Sequence, residues 1–231
     1  MTFATTLRYV CLNDPPTVWS RRYYIMHDYE IMARQYGVGL VAIMNENDIE
    51  SICANCDGLV IPGSATAIDP KYYGGTPMDP PPEIDEYALD AALIKYFTEH
   101  NKPIFGVCGG FQELNIYFGG SIKKMSDDVA PAHQDQNHEI NIVPNSFVYD
   151  VFKSERAEVN SYHSWTLDRL APCFDVVART ADNIIEAIEC KEKKIFATEW
   201  HPEQSFHTGD RIENKFFENF IECCKKCANK K

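Results

Sequence analysis

Three short apolar runs, VGLVAIM (38–44), DGLVIPGS (57–64) and KPIFGV (102–107), most narrow what this chain can fold into. Each has strand length and is continuous rather than alternating. A strand that is apolar on both faces needs cover on both, which is the situation of parallel strands between two layers of helix. The intervening segments fit. RRYYIMHDYEIMARQYG (21–37) spaces Ile25, Tyr29, Met32 and Tyr36 as one helix stripe, with Gly37 as the stop. PEIDEYALDAALIKYFTEHN (82–101) places Leu89, Leu93, Tyr96 and Phe97 on one face, and GGFQELNIYFGG (109–120) reads as a helix closed by Gly119 and Gly120. TLRYVCL (6–12) reads as the first strand, ended by Asn13-Asp14-Pro15-Pro16.

The second half changes rhythm. HEINIVP, FDVVART, IIEAIEC and KIFATEW read as strands between polar turns, and a last helix over 211–227 carries Ile212, Phe216, Phe220 and Cys224 on one face. At 231 residues the chain suits one sizeable domain, and no repeat, linker or low-complexity tract divides it. The expected fold is α/β: one domain over 1–231, with a single doubly wound, mostly parallel sheet flanked by helices and a small antiparallel edge.

Charge narrows the partners. The formal net charge is −12, which argues against a nucleic-acid or anionic-membrane surface, since either needs clustered Lys and Arg. The one basic cluster, CCKKCANKK, reads as a solvated helix end. No apolar stretch approaches the ~18 residues of a membrane span, and MTFATTLRYVCLNDPP lacks the pattern of a signal peptide. Nine cysteines without a disulfide-like spacing fit a reducing, cytoplasmic setting, most of them as small buried residues.

One cysteine stands apart. In FGVCGGFQELN (105–115), Cys108 sits between glycines where a strand turns into a helix. G-x-C-x-G at such a junction is the cysteine form of a nucleophile elbow, a turn so tight that its neighbours must be small. It would lift the thiol above the sheet onto a helix N-terminus, where unpaired N–H groups favour thiolate. The N–H of Gly109 would face a developing oxyanion, and Gly63 in IPGS is the candidate second donor. The plainer alternative is a tight turn holding a buried cysteine. A base decides between them: TEWHPE (198–203) ends a strand with His201 and Glu203 two apart, on one side of an extended chain. Glu203 would orient the imidazole and His201 would take the thiol proton.

FGVCGGFQELN together with EWHPE resembles the class I glutamine amidotransferase-like superfamily, and within it the γ-glutamyl-γ-aminobutyrate hydrolase type, peptidase family C26. DGLVIPGSATAIDPKYYG, HEINIV and VNSYHSW extend the likeness over nearly the whole chain. The resemblance implies a flavodoxin-like fold and a Cys108–His201–Glu203 triad that cleaves the γ-glutamyl amide of a small conjugate through a glutamyl thioester. It also implies that Gln112 and the segment Ser161, Tyr162 and His163 hold the glutamate α-groups, and that no cofactor is needed. Relatives are often dimers, so a homodimer is an expectation as well. Members of the hydrolase branch often carry arginine after the nucleophile, where this chain has Gly109, and VNSYHSWTL also resembles folate γ-glutamyl hydrolases; both bear on the leaving group.

Other signals carry less. His133, Asp135 and His138 in AHQDQNHE are of metal-binding type, but their spacing matches no strong signature, so no metal is expected. Cys223, Cys224 and Cys227 lack the second pair that a zinc site needs. Two other functions stay open: a glutaminase subunit that passes ammonia to a separate synthetase, and a redox-sensing protein that uses Cys108 only as a reactive thiol.

Overall fold

The computed structural model describes residues 1–12, 20–209 and 212–229. In chain order the strands are β1 (Thr2–Thr6), β2 (Arg8–Cys11), β3 (Arg21–Tyr24), β4 (Gly39–Ile43), β5 (Gly58–Ile61), β6 (Ile104–Val107) and β7 (Ser121–Lys124). There follow β8 (Gln134–Ile142), β9 (Arg156–Tyr162), β10 (Trp165–Arg169), β11 (Asp175–Thr180), β12 (Ile185–Cys190) and β13 (Ile195–Thr198). The helices are α1 (His27–Tyr36), α2 (Ile49–Cys53), α3 (Glu86–Glu99), α4 (Gly109–Tyr117), α5 (Phe147–Phe152), α6 (Ser205–Thr208) and α7 (Lys215–Ala228).

Nine strands form one sheet in the order β4-β1-β5-β6-β13-β12-β11-β8-β9. The first five are parallel; β12, β11, β8 and β9 pair antiparallel, so the expected edge is four strands wide. The runs read as fully apolar strands are buried on both faces at β5 and β6. One face packs against α3 and α4 through Leu93, Phe97, Phe111 and Leu114. The other packs against α1 and α7 through Tyr29, Met32, Phe217 and Phe220. The architecture is therefore a flavodoxin-like α/β fold. In α7, Phe216, Phe220 and Cys224 share the buried face, and Phe220 meets Phe3 of β1 and Phe105 of β6 with ring centroids 5.2 and 5.8 Å apart. Burying each such ring stabilises the fold by about 1.5–3 kcal/mol.

Three local readings change. The first strand of the main sheet is Thr2–Thr6, so TLRYVCL holds only its last residue; Arg8 turns inward, the chain leaves the main sheet there, and the rest of the run, β2, pairs with β3 as a hairpin. Arg21–Tyr24 is thus strand rather than helix, and α1 begins only at His27, closing at Gly37 in the left-handed region. Ile212 lies outside α7 and is 49% exposed. The proposed stop at residues 13–16 falls outside the described residues.

The chain passes from β1 to β4 on one side, then returns to β5 on the other. Such a reversal opens a crevice beyond the C-terminal ends of the strands. The loops after β5, β6 and β13 all reach it.

Candidate active site

β6 ends at Val107, and Cys108 turns the chain with φ 49° and ψ −104°, so that α4 starts at Gly109. A non-glycine residue held there carries about 1–3 kcal/mol of strain, which the surrounding packing must sustain. The Cys108 N–H donates to the Thr198 carbonyl at 2.8 Å, fixing the turn where β6 and β13 end side by side. The flanking glycines are a matter of space. A Cβ on Gly110 would stand 2.4 Å from the Ile61 oxygen, and one on Gly106 would stand 2.8 Å from the Gly110 oxygen. The N–H groups of the first turn of α4, Gly109 included, have no partner within the helix.

His201 follows β13 and is gripped through its backbone. Its N–H donates to Asn160 Oδ1 at 2.8 Å, and its carbonyl accepts from Asn160 Nδ2 at 2.9 Å. Its Nδ1 lies 2.8 Å from Glu203 Oε1, and Glu203 is 1% exposed. Glu203 reaches it across a 3-10 turn, Pro202–Gln204, rather than along an extended chain. The imidazole and the thiol meet above Gly63, where a Cβ would be 2.7 Å from His201 Cε1 and 3.3 Å from Cys108 Cβ. Burial works against a charged His201, but the Glu203 carboxylate and Cys108, as charges and hydrogen-bond partners, outweigh it and hold the imidazole well above its ordinary range. The site is thus organised for imidazolium.

The loop carrying Gly63 is held by a buried cation that the sequence reading passed over. Arg8 is 1% exposed, donates to the Pro62 carbonyl at 2.6 and 3.2 Å, and pairs with Asp90, Glu113 and Glu86. Glu86 in turn accepts from Ser64 Oγ and from the Tyr9 N–H, each at 2.5 Å. Burial, with Asp90 and Glu86 adding to it against Arg8, lifts the Glu113 carboxyl well above the carboxylate range. The available signal was an arginine inside the β-rich run TLRYVCL.

Two cavities meet at Cys108. One, of about 290 Å³, is lined by Ser64, Gln112, Glu113, Tyr162, His163 and Trp165 among others. The second, of about 230 Å³, is lined by Tyr24, Met26, Gly63, Tyr162, His201 and Gln204 among others. A larger one, about 340 Å³, lies elsewhere, around Cys56, Lys102 and Cys227, and has no comparable convergence of groups.

Of the residues singled out for substrate, Gln112, Tyr162 and His163 line the first cavity, and Ser161 does not. Ser161 is 0% exposed and its hydroxyl donates to the His133 carbonyl at 2.7 Å. Strand alternation explains this, for on β9 Asn160 and Tyr162 share the site's side and Ser161 takes the other. Asn160 is the residue missed in that segment. Gln112 Nε2 donates to Glu199 Oε1 at 2.7 Å. Burial pushes the Glu199 carboxyl up to about 7, with His163 and the Gln112 amide pulling the other way. His163 lies between Glu199 and Glu186; burial lowers its pKa, but those carboxylates push it up to about 10.

Behind His163, Glu186 is 0% exposed and faces His133 and His138. Asp135, grouped with these histidines in the sequence reading, is exposed with φ 54° and is not part of the cluster.

The chain matches Peptidase C26 over residues 13–203, a stretch that contains Cys108, His201 and Glu203. It is 30% identical over 227 residues, 92% of this chain and 94% of the relative, to the glutamine amidotransferase-like protein YvdE of Lactococcus lactis. It is 27% identical over 201 residues to the γ-glutamyl-γ-aminobutyrate hydrolase PuuD of Escherichia coli K12, covering 80% of this chain and 78% of that one. Among solved structures, a protein of Thermoplasma acidophilum described as a GMP synthase component superposes with a TM-score of 0.69 at 21% identity, over 99% of this chain and 96% of the other, which speaks to the fold alone. With the fold, the turn at Cys108 and the match over most of its length in agreement, the chain belongs to the Peptidase C26 family of glutamine amidotransferase-like hydrolases.

Proposed function

We propose that this protein hydrolyses the γ-glutamyl amide bond of a small γ-glutamyl conjugate, with Cys108 as nucleophile, His201 as base and acid, and Glu203 orienting His201. The observation that carries the reading is the convergence at Cys108: a strained thiol between two cavities, against an imidazole whose other face is 2.8 Å from a buried carboxylate.

His201 takes the Cys108 thiol proton, Sγ attacks the γ-carbonyl carbon, and the C=O electron pair moves onto oxygen, facing N–H groups of Gly109 and Gly63. Collapse breaks the C–N bond while His201 gives its proton to the departing amine. His201 then takes a proton from water; the hydroxide breaks the C–S bond, releasing glutamate and restoring the thiol. The glutamyl part occupies the 290 Å³ cavity. Because Gln112 Nε2 is committed to Glu199, its Oε1 is left to accept from the α-ammonium. The amine occupies the 230 Å³ cavity against Tyr24, Met26 and Gln204. Space for an amine larger than ammonia favours a free-standing hydrolase over a glutaminase subunit.

Glutamate release from a panel tests this: glutamine, γ-glutamyl-γ-aminobutyrate, γ-glutamyl-putrescine, γ-glutamyl dipeptides and a folate polyglutamate, with Cys108→Ala as blank. One conjugate turned over well above glutamine, and lost in the blank, is the expected result. Glutamine as best substrate would favour the glutaminase subunit, and silence throughout would remove the hydrolase.

A further inference from the structure

The cluster behind His163 takes no part in the chemistry above. His133 closes a 3-10 turn over Ala130–His133, His138 lies in β8 and Glu186 in β12. His133 Nδ1 and His138 Nε2 each stand 3.5 Å from the same oxygen, Glu186 Oε1, and one donor atom from each residue lies within 4.8 Å of the other two. His133 is 1% and Glu186 0% exposed, yet His133 Nδ1, both ring nitrogens of His138 and both Glu186 oxygens lack a hydrogen-bond partner. Buried polar atoms are rarely left so, because each forfeits its water without replacement.

The tautomers sharpen the point. His133 Nε2 faces Asp182 Oδ2 at 3.3 Å. An ionised carboxylate only accepts, so Nε2 carries a proton, and Nδ1 is the nitrogen left to hold either a second proton or a metal cation against Glu186. A lone pair facing a carboxylate is repulsive unless a cation lies between them. A carboxylate on the far nitrogen is also the usual support of a metal-bound histidine. Around zinc, with bonds of about 2.0–2.1 Å in a tetrahedron, neighbouring donors stand about 3.3 Å apart. The two separations to Glu186, 3.5 Å each, are close to this, and the third, between the two imidazoles and within 4.8 Å, is the one that closes when the ion binds. The odd spacing also has a cause: His133 and His138 are five apart, which on a regular strand would send them to opposite faces. His133 lies in the turn before β8, and the β8–β9 register shifts between Gln134 and Gln136, so strand alternation does not separate the two.

We propose that His133, His138 and Glu186 bind a divalent transition-metal ion of the zinc class. Its fourth position is left to water. The ion's part is structural. The His133 carbonyl accepts from Ser161 Oγ at 2.7 Å and from the His163 N–H at 3.0 Å, so tying His133 to β12 also fixes the wall of the larger site cavity.

The test uses the full chain without a histidine tag, in a Cys108→Ala background that removes the cavity-lining thiol as a stray ligand. Metal content is measured as purified; chelator-stripped protein is then titrated with Zn²⁺, and with Co²⁺ as a spectroscopic probe. The expected result is one ion per chain, a higher melting temperature with Zn²⁺, and Co²⁺ d–d bands without thiolate charge transfer. Both binding and the melting shift should disappear in His138→Ala and in Glu186→Gln. His138 is the least buried of the three, so its variant decides the matter if Glu186→Gln does not fold. Failure to bind Zn²⁺, a thiolate–cobalt band, or unchanged binding in His138→Ala would overturn the proposal. So would an NMR titration showing both His133 nitrogens protonated in Zn²⁺-containing buffer, because the cluster would then be held by protons.

Discussion

Cys108 combines a Cβ with φ 49° and ψ −104°, and the strain this implies can be measured apart from its chemistry. Cys108→Ala and Cys108→Gly both remove the sulfur, so whatever the thiol contributes with His201 cancels between them. They differ in one buried methyl group. At an unstrained buried position glycine should be the weaker by about 1.5 kcal/mol: roughly 0.8 kcal/mol for the lost methyl and roughly 0.5–1 kcal/mol for the freer unfolded chain. Here removing the Cβ also releases about 1–3 kcal/mol of backbone strain. The terms then nearly cancel or reverse, and Cys108→Gly should lie within about 0.5 kcal/mol of Cys108→Ala or above it. Urea unfolding followed by tryptophan fluorescence reads the difference, with equal m-values as the condition for comparing midpoints. Trp200, 0% exposed, supplies a core reporter. A full deficit of about 1.5 kcal/mol for glycine would mean that the turn stores no strain, and the reasoning from the dihedral angles would fail.

Arg8→Met should cost about 3–5 kcal/mol, because it leaves Asp90, Glu86 and Glu113 buried without their cation; a loss under about 1 kcal/mol by denaturant unfolding would show that they are matched elsewhere. Folded His201 keeps its proton above its usual 6.5, so its stabilising effect is complete below that pH and fades as pH climbs through the raised value. His201→Ala should therefore destabilise more near pH 6 than near pH 9, roughly speaking, and a cost independent of pH would contradict the imidazolium assignment. Asn160→Ala removes both backbone anchors of His201 and should lower kcat by about 10- to 100-fold with little change in KM, since it displaces the base without touching substrate. A change in KM alone would place Asn160 in binding instead.

What could be read from the sequence was what one element decides by itself. Continuous apolar runs specified β5 and β6, and helical spacing specified α3, α4 and α7. G-x-C-x-G located Cys108 because backbone crowding permits nothing larger on either flank. His201 and Glu203 were identified too, although the turn that joins them is not the extended chain their spacing suggested. The contacts that bridge elements were hidden. Arg8 drew no notice within its strand, because Asp90 and Glu113 come to it from α3 and α4. VNSYH drew notice for Ser161, Tyr162 and His163, and only the folded strand shows that Asn160, not Ser161, faces the site with Tyr162. The turn that holds His133 before β8, and the register shift beside Asp135, likewise concealed that His133 and His138 meet at Glu186.

The grip of Asn160 on His201 also sets the order in which the molecule fails. β9 is the outermost strand, bonded to the sheet through β8 alone, whereas β6 and β13 lie in its middle. A border strand opens at a lower free energy than the interior. When it peels away, Cys108 keeps its seat while His201 loses both of its bonds to Asn160. Warming should therefore silence the enzyme while most of its secondary structure persists, and restored turnover after cooling would report the re-seating of a single strand.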